Sequence, residues 1–253
     1  MSTMSGFDQC FSFINCQLQP PGPAHLKEGV GVRAVTISRQ SGCGGCFFAE
    51  ELAVCLQALL PHGARRWTVF DRDLVDAVLR DHHLPARLAS FMPEDRVTHL
   101  HDIIEDLFSL HPPTETLVRR ASETILHLAQ LGNAIIVGRA ANVITARLPG
   151  MLHLRLIGSV EHRLAHMREF DHLDKKAALR RIRREDGGRR RYLKSYFGRD
   201  IDDPLLYHLV INTSLVPLPD AVKTVGSFAL LHHLAPSPAM TAPAPSKTVE
   251  ARL

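Results

Sequence analysis

Residues 32–60 read VRAVTISRQSGCGGCFFAEELAVCLQALL. Val32 to Ser38 is a short apolar-rich run that reads as a strand. Phe48, Leu52, Leu56 and Leu59 or Leu60 recur at helical spacing, so a helix is expected over 46–60. Between the two lies S-R-Q-S-G-C-G-G-C, from Ser38 to Cys46, with glycine at 42, 44 and 45. A strand, a glycine-rich turn and a helix together cradle phosphate. Glycine lets several N–H groups converge, and the helix N-terminus adds partial positive charge. Ser41, Gly42, Cys43, Gly44, Gly45 and Cys46 are therefore the candidate phosphate-binding residues, against the plainer reading of a tight turn with no ligand. A standard phosphate loop follows its last glycine with Lys and then Ser or Thr. Here Gly45 stands at the lysine position, or Cys46 in another alignment, and no lysine is near. The dinucleotide fingerprint G-x-G-x-x-G fails as well, because Phe47 occupies its last glycine position. A neighbouring cation must supply the missing charge, and Arg39 is the candidate.

Working outward, Trp67 to Phe70, Ala134 to Val137 (AIIV), Met151 to Ile157 (MLHLRLI) and His208 to Ile211 (HLVI) read as further strands. Helices are expected after Asp71 (Leu74, Val75, Val78, Leu79), as two segments within 94–131 broken at Pro112–Pro113, over Val160–Phe170 and Lys175–Tyr196, and over 219–233. Apolar strands alternating with helices predict an α/β fold, a three-layer parallel sheet with helices on both faces. Such sheets bind ligands at the carboxyl ends of their strands. Attention falls on Ser38–Cys46, Asp71, Gly138–Asn142 and Gly158.

The chain has 253 residues, 45% hydrophobic and 22% charged, which excludes collagenous, disulfide-scaffold and wholly disordered classes. One domain over 31–234 is expected, with a lid over about 174–200. Residues 1–30, with Pro20, Pro21, Gly22 and Pro23, are expected to be a flexible lead-in, and the Ala/Pro-rich 235–253 a flexible tail. Net charge is only +4. Nine Lys or Arg nevertheless crowd between Arg180 and Arg199 against Glu185 and Asp186, and such a cluster suits phosphate. Five cysteines, all in the first quarter, cannot staple the fold. No leader opens the sequence and no apolar run is long enough to span a membrane, so a cytoplasmic protein with no membrane partner is expected. Cys43 and Cys46 form a lone C-x-x-C, read as small residues in a tight loop rather than a redox or zinc pair. His162 and His166 are read as an exposed helix face, so no metal ligands are assigned.

Six stretches in order, TISRQSGCGGCFFAEELA (36–53), VFDRDLV (69–75), IIVGRAANVI (135–144), LHLRLIGSVEHRL (152–164), IRREDGGRRRYLKSYFG (182–198) and DPLLYHLVINTS (203–214), resemble the cytidylate kinase-like family, a nucleoside monophosphate kinase branch of the P-loop fold. The resemblance implies phosphoryl transfer from ATP, with Mg2+, to a nucleoside monophosphate such as cytidylate. It implies that Ser41 to Gly45 hold the donor phosphates, that Gly138-Arg139 hold the acceptor phosphate, and that Arg184 to Arg191 form an Arg-rich lid. Arg189 falls in the D-x-x-R-x-x-Y spacing from Asp186 to Tyr192. Two positions depart from cytidylate kinases, Gly45 in place of Lys and Ala140 in place of Asp.

Phosphoryl transfer needs in-line positioning and neutralised phosphate oxygens, which arginine forks supply. Arg39, Arg189 and Arg190 are the candidate catalytic cations, with Asp71 as a magnesium or acceptor ligand or, equally, a helix N-cap. Arg139, Asn142 and Arg163 are the candidate substrate-binding residues. Asn212-Thr213 is read as a turn cap. Gly187-Gly188 is expected to break the basic helix as a lid hinge. The alternative to a kinase is a catalytically inactive nucleotide-binding regulatory module. Nucleic acid is not expected as a partner, because Tyr192, Tyr196 and Phe197 alone make a thin stacking platform.

Overall fold

A computed structural model describes residues 32–59, 66–71, 103, 104, 107 and 116–231. The segments 1–30 and 235–253, the helix expected after Asp71 and the Pro112–Pro113 break lie outside them.

Five strands, β1 (Ala34–Arg39), β2 (Thr68–Phe70), β3 (Ala134–Val137), β4 (Met151–Ile157) and β5 (Leu209–Asn212), form one sheet in the order β2-β3-β1-β4-β5. Every pairing is parallel, with Ile37 opposite Val137 and Arg39 opposite Leu156. All five carboxyl ends therefore open on one edge, and β1 at the centre carries the glycine loop there.

The helices are α1 (Gly45–Ala58), α2 (Thr116–Leu131), the short α3 (Ala141–Ile144), α4 (Val160–Phe170), α5 (Lys175–Phe197) and α6 (Leu218–Leu231). Side chains alternate along β1. Val35 and Ile37 face a core made with Phe48, Leu52 and Leu56 of α1 and Val222 and Val225 of α6. Ala34 faces the opposite core, made with Ile125 and Leu128 of α2, Ile144 of α3, and Leu193 and Phe197 of α5. These are the two helical layers that the apolar strands anticipated. Phe48 is fully buried between sheet and helix, and truncating it to Ala would cost about 3–5 kcal/mol.

The second face also carries polar groups. Thr36, Ser38, His153 and Arg155 are all buried there. Thr36 Oγ1 meets His153 Nδ1 at 2.8 Å, and the His153 main-chain N–H donates to His208 Nδ1 at 2.9 Å. That bond keeps His208 Nδ1 unprotonated.

Two expectations are corrected. Gly187-Gly188 does not break the basic helix; α5 runs unbroken from Lys175 to Phe197. Two helical glycines cost about 2 kcal/mol together relative to alanine. Ile182 on one side and Leu193 and Phe197 on the other bury against the body, and Arg181 and Arg189 pair with Glu185 one turn away, which offsets that cost. Nor do His162 and His166 form an exposed face: both are half-buried, and the His166 ring lies 4.5 Å from that of Phe170.

Candidate functional site

The loop between β1 and α1 is fixed from its neighbours. Gln40 N–H donates to Leu156 O at 2.9 Å, and Gln40 Oε1 accepts from Gly158 N–H at 3.0 Å. At Gly42 φ is +86°, and a β-carbon there would lie 2.6 Å from the Arg163 carbonyl oxygen, so only glycine fits. The first bond of α1 runs from Phe48 N–H to Gly44 O at 2.8 Å. The amides of Gly45, Cys46 and Phe47 therefore precede the helical ladder, and no acidic side chain occupies the first turn. Cys43 is buried, and burial pushes its thiol up, against the Thr213 hydrogen bond and Arg163. Cys46 is exposed.

Arg39 ends β1 and lies across this loop. A β-carbon at Gly45 would come within 2.8 Å of Arg39 Cγ, and one at Gly138 would fall on its guanidinium. The side chain thus spans from the loop to the tip of β3. There the backbone takes three left-handed residues in a row, Gly138 (φ 85°), Arg139 (φ 55°) and Ala140 (φ 57°). For non-glycine residues that conformation costs of order 1–3 kcal/mol each and is concentrated at functional sites. Arg139 is half-buried in this turn, and Asn142 follows it, buried, with Nδ2 unbonded among the described residues. Asp71 follows β2, separated from β1 by β3. Asn212 Oδ1 accepts from Ser214 N–H at 3.0 Å and Thr213 Oγ1 donates to Ile157 O at 3.2 Å, which is a turn cap.

The middle of α5 touches the loop at Ser41. Ser41 N–H donates to Asp186 Oδ1 at 2.8 Å, and its hydroxyl donates to Glu185 Oε2 at 2.7 Å. Arg189 donates to Asp186 Oδ1 at 2.5 Å and also to the Ser41 hydroxyl oxygen. Arg163, buried on α4, donates to Asp186 Oδ2 at 2.6 Å and to Ser41 O at 3.3 Å. Burial raises both carboxyl groups, but the Ser41 and arginine bonds outweigh it and hold Asp186 and Glu185 below the usual carboxylate range.

Arg190 belongs to a second cluster. It donates to Asp202 Oδ2 at 2.7 Å, and Asp202 Oδ1 accepts from Arg155 at 2.7 Å. Arg155 also donates to Ser38 Oγ at 2.8 Å beneath the loop. Arg180, Arg183, Arg184 and Arg191 are exposed.

The structure therefore gathers Arg39, Ser41, Gly42, Arg163 and Arg189 about one loop and seats Arg190 on Asp202. Sequence reading passed over Asp186, Glu185, Arg155 and Asp202 as site members. Arg155 did leave a signal: an arginine inside MLHLRLI, an otherwise apolar parallel strand, must be buried with a partner.

Among the described residues no three His, Cys, Asp or Glu side chains are grouped to hold a metal ion. Magnesium prefers oxygen, and the loop offers it an exposed thiol at Cys46 and a Ser41 hydroxyl already bonded. The loop does not fit a resident magnesium ion. Among the same residues no helix is long and apolar enough to cross a membrane.

Fold and loop together define an α/β protein with a five-stranded parallel sheet and a glycine-rich loop between its central strand and α1. A sequence model of the cytidylate kinase-like family matches residues 34–215, and the chain belongs to that family. Membership suggests a nucleotide-binding, kinase-like role. An uncharacterized protein from Eubacterium ventriosum ATCC 27560 has a similar structure, with a TM-score of 0.60 and 20% identity over 78% of this chain and 98% of that one. A Thermus thermophilus protein aligns at a TM-score of 0.40 with 18% identity, over 79% of this chain and 98% of its own. No curated protein matches.

Proposed function

We propose that the protein transfers a phosphoryl group from ATP to a nucleoside monophosphate, with a cytidylate-like acceptor, giving ADP and a nucleoside diphosphate. The observation that carries this reading is Arg39. Its side chain occupies the space into which residue 45, the usual lysine position, would project, and its guanidinium reaches the turn at Gly138. One cation thus stands between the loop and the tip of β3. The donor phosphates rest on the amides of Ser41 to Cys46. Arg139 and Asn142 hold the acceptor phosphate, with Asp71 orienting the acceptor. Arg163, Arg189 and Arg190 neutralise the phosphoryl oxygens as charge develops; one well-placed arginine is worth about 10³–10⁵ in rate.

The test is purified protein with ATP, magnesium and a panel of nucleoside monophosphates. ADP and a diphosphate should form, and Arg39→Ala and Arg139→Ala should each lower turnover at least about 100-fold. No turnover with any acceptor overturns the kinase reading. Gly45 and Ala140, standing where cytidylate kinases carry Lys and Asp, favour the second reading, a nucleotide-binding regulatory module. It requires nucleotide to raise the melting temperature without product.

A further inference from the structure

We infer that Asp186 and Glu185 are the loop's own anion, seated on Ser41 in place of phosphate and displaced when a polyphosphate binds. This rests on the reading of the loop as a polyphosphate site and concerns how that site is regulated.

Three donors converge on the Asp186 carboxylate: the Ser41 main-chain N–H at 2.8 Å, Arg189 at 2.5 Å and Arg163 at 2.6 Å. A main-chain amide at a strand-to-helix loop and two guanidinium groups are the donor set that a phosphoryl oxygen would take. Glu185 takes the Ser41 hydroxyl, so one turn of α5 fills both polar handles of that residue. A residue that merely aligned Arg163 and Arg189 would have no need of the amide.

A second observation points the same way. Arg163 is 6% exposed, yet its Nε is buried with no acceptor among the described residues, and so is Nε of Arg189. Two carboxylates leave these donors unmet. A phosphate chain carries more oxygens and has acceptors left for them, so exchange of carboxylate for phosphate gains bonds at the guanidinium groups.

Two anions cannot share one amide, so binding and the α5 contact are mutually exclusive at Ser41. The loop is then available only in the fraction of molecules whose Asp186 has left it, and apparent affinity is lowered by that fraction. Once released, Asp186 no longer neutralises Arg163 of α4, while the pairs of Arg181 and Arg189 with Glu185 and Asp186 stay within α5 and travel with it.

The test is titration calorimetry with inorganic tripolyphosphate and with ATP, on the whole chain and on Glu185→Gln/Asp186→Asn. The double variant should bind both probes at least tenfold more tightly. Equal or weaker binding by a folded variant overturns the inference and leaves the loop a phosphate site. Binding by neither protein overturns both. Should the variant not fold, the Asp186 carboxyl 13C resonance of the unaltered protein decides. Tripolyphosphate should shift it and raise its titration midpoint, as the carboxylate exchanges its donors for a neighbouring anion; an unmoved resonance overturns displacement.

Discussion

The side chain of Arg39 and the missing side chain of Gly45 occupy one space: a β-carbon at 45 would lie 2.8 Å from Arg39 Cγ and 3.3 Å from Arg39 Cβ. These are the root of the arginine, not its flexible tip, so the neighbour cannot simply swing away. Gly45→Lys alone should destabilise the fold by about 1–3 kcal/mol through overpacking, read as a lower urea midpoint at unchanged slope.

The glycine pair in α5 has room for side chains. A β-carbon at Gly188 would meet nothing within 4 Å. Gly188→Ala should therefore stabilise the helix by about 0.8–1 kcal/mol and raise the melting temperature by about 2–4 °C. Higher thermal stability with slower turnover would mark bending at this point as part of the working cycle; lower stability would contradict the open space.

Ala140 is held at φ 57°, directly after Arg139 at φ 55°. Left-handed backbone costs an alanine about 1–2 kcal/mol, which glycine does not incur. Ala140→Gly should raise stability by about 1 kcal/mol in thermal melts. A fall would mean that the Ala140 methyl group packs usefully enough to outweigh the relief.

Acid should weaken the protein in two separate windows. Burial, with His208 alongside, pushes His153 down to about 3 from 6.5, and burial lowers His208 too. The folded state thus binds fewer protons than the unfolded chain. Stability from this pair is complete above pH 6.5 and is lost as pH falls towards the folded value, at about 1.4 kcal/mol per pH unit for His153. Asp186, Glu185 and Asp202 are depressed carboxyl groups, so their contribution is present above about pH 4 and is lost only below it. Urea midpoints at pH 7 and pH 5 should differ clearly in the natural chain and much less in His153→Gln. An equal drop in both would contradict the assignment.

The centre of the fold was legible because its signals are local. VRAVTIS, three glycines and a helical apolar period lie within 29 residues, and the run of strands and helices after them fits one parallel sheet. Strand and helix ends differ by a residue or two, as at β1, which runs Ala34–Arg39 rather than from Val32. What stayed hidden is long-range. The bond between Ser41 and Asp186 joins residues 145 apart, and Asp186 carried no mark beyond its spacing from Arg189. The continuity of α5 was hidden for the same reason: the glycine pair weakens the helix locally, while the packing of Ile182, Leu193 and Phe197 that restores it is tertiary.

The account turns on Arg39 serving the loop in place of a lysine at 45. The direct measurement is ATP affinity, by calorimetry, for the natural chain, Arg39→Gly, Gly45→Lys and the two changes combined. Each single change should weaken ATP binding at least tenfold, and the combined protein, with its cation moved to the usual position and the collision removed, should recover most of the loss. Unaltered ATP binding by Arg39→Gly would contradict the account.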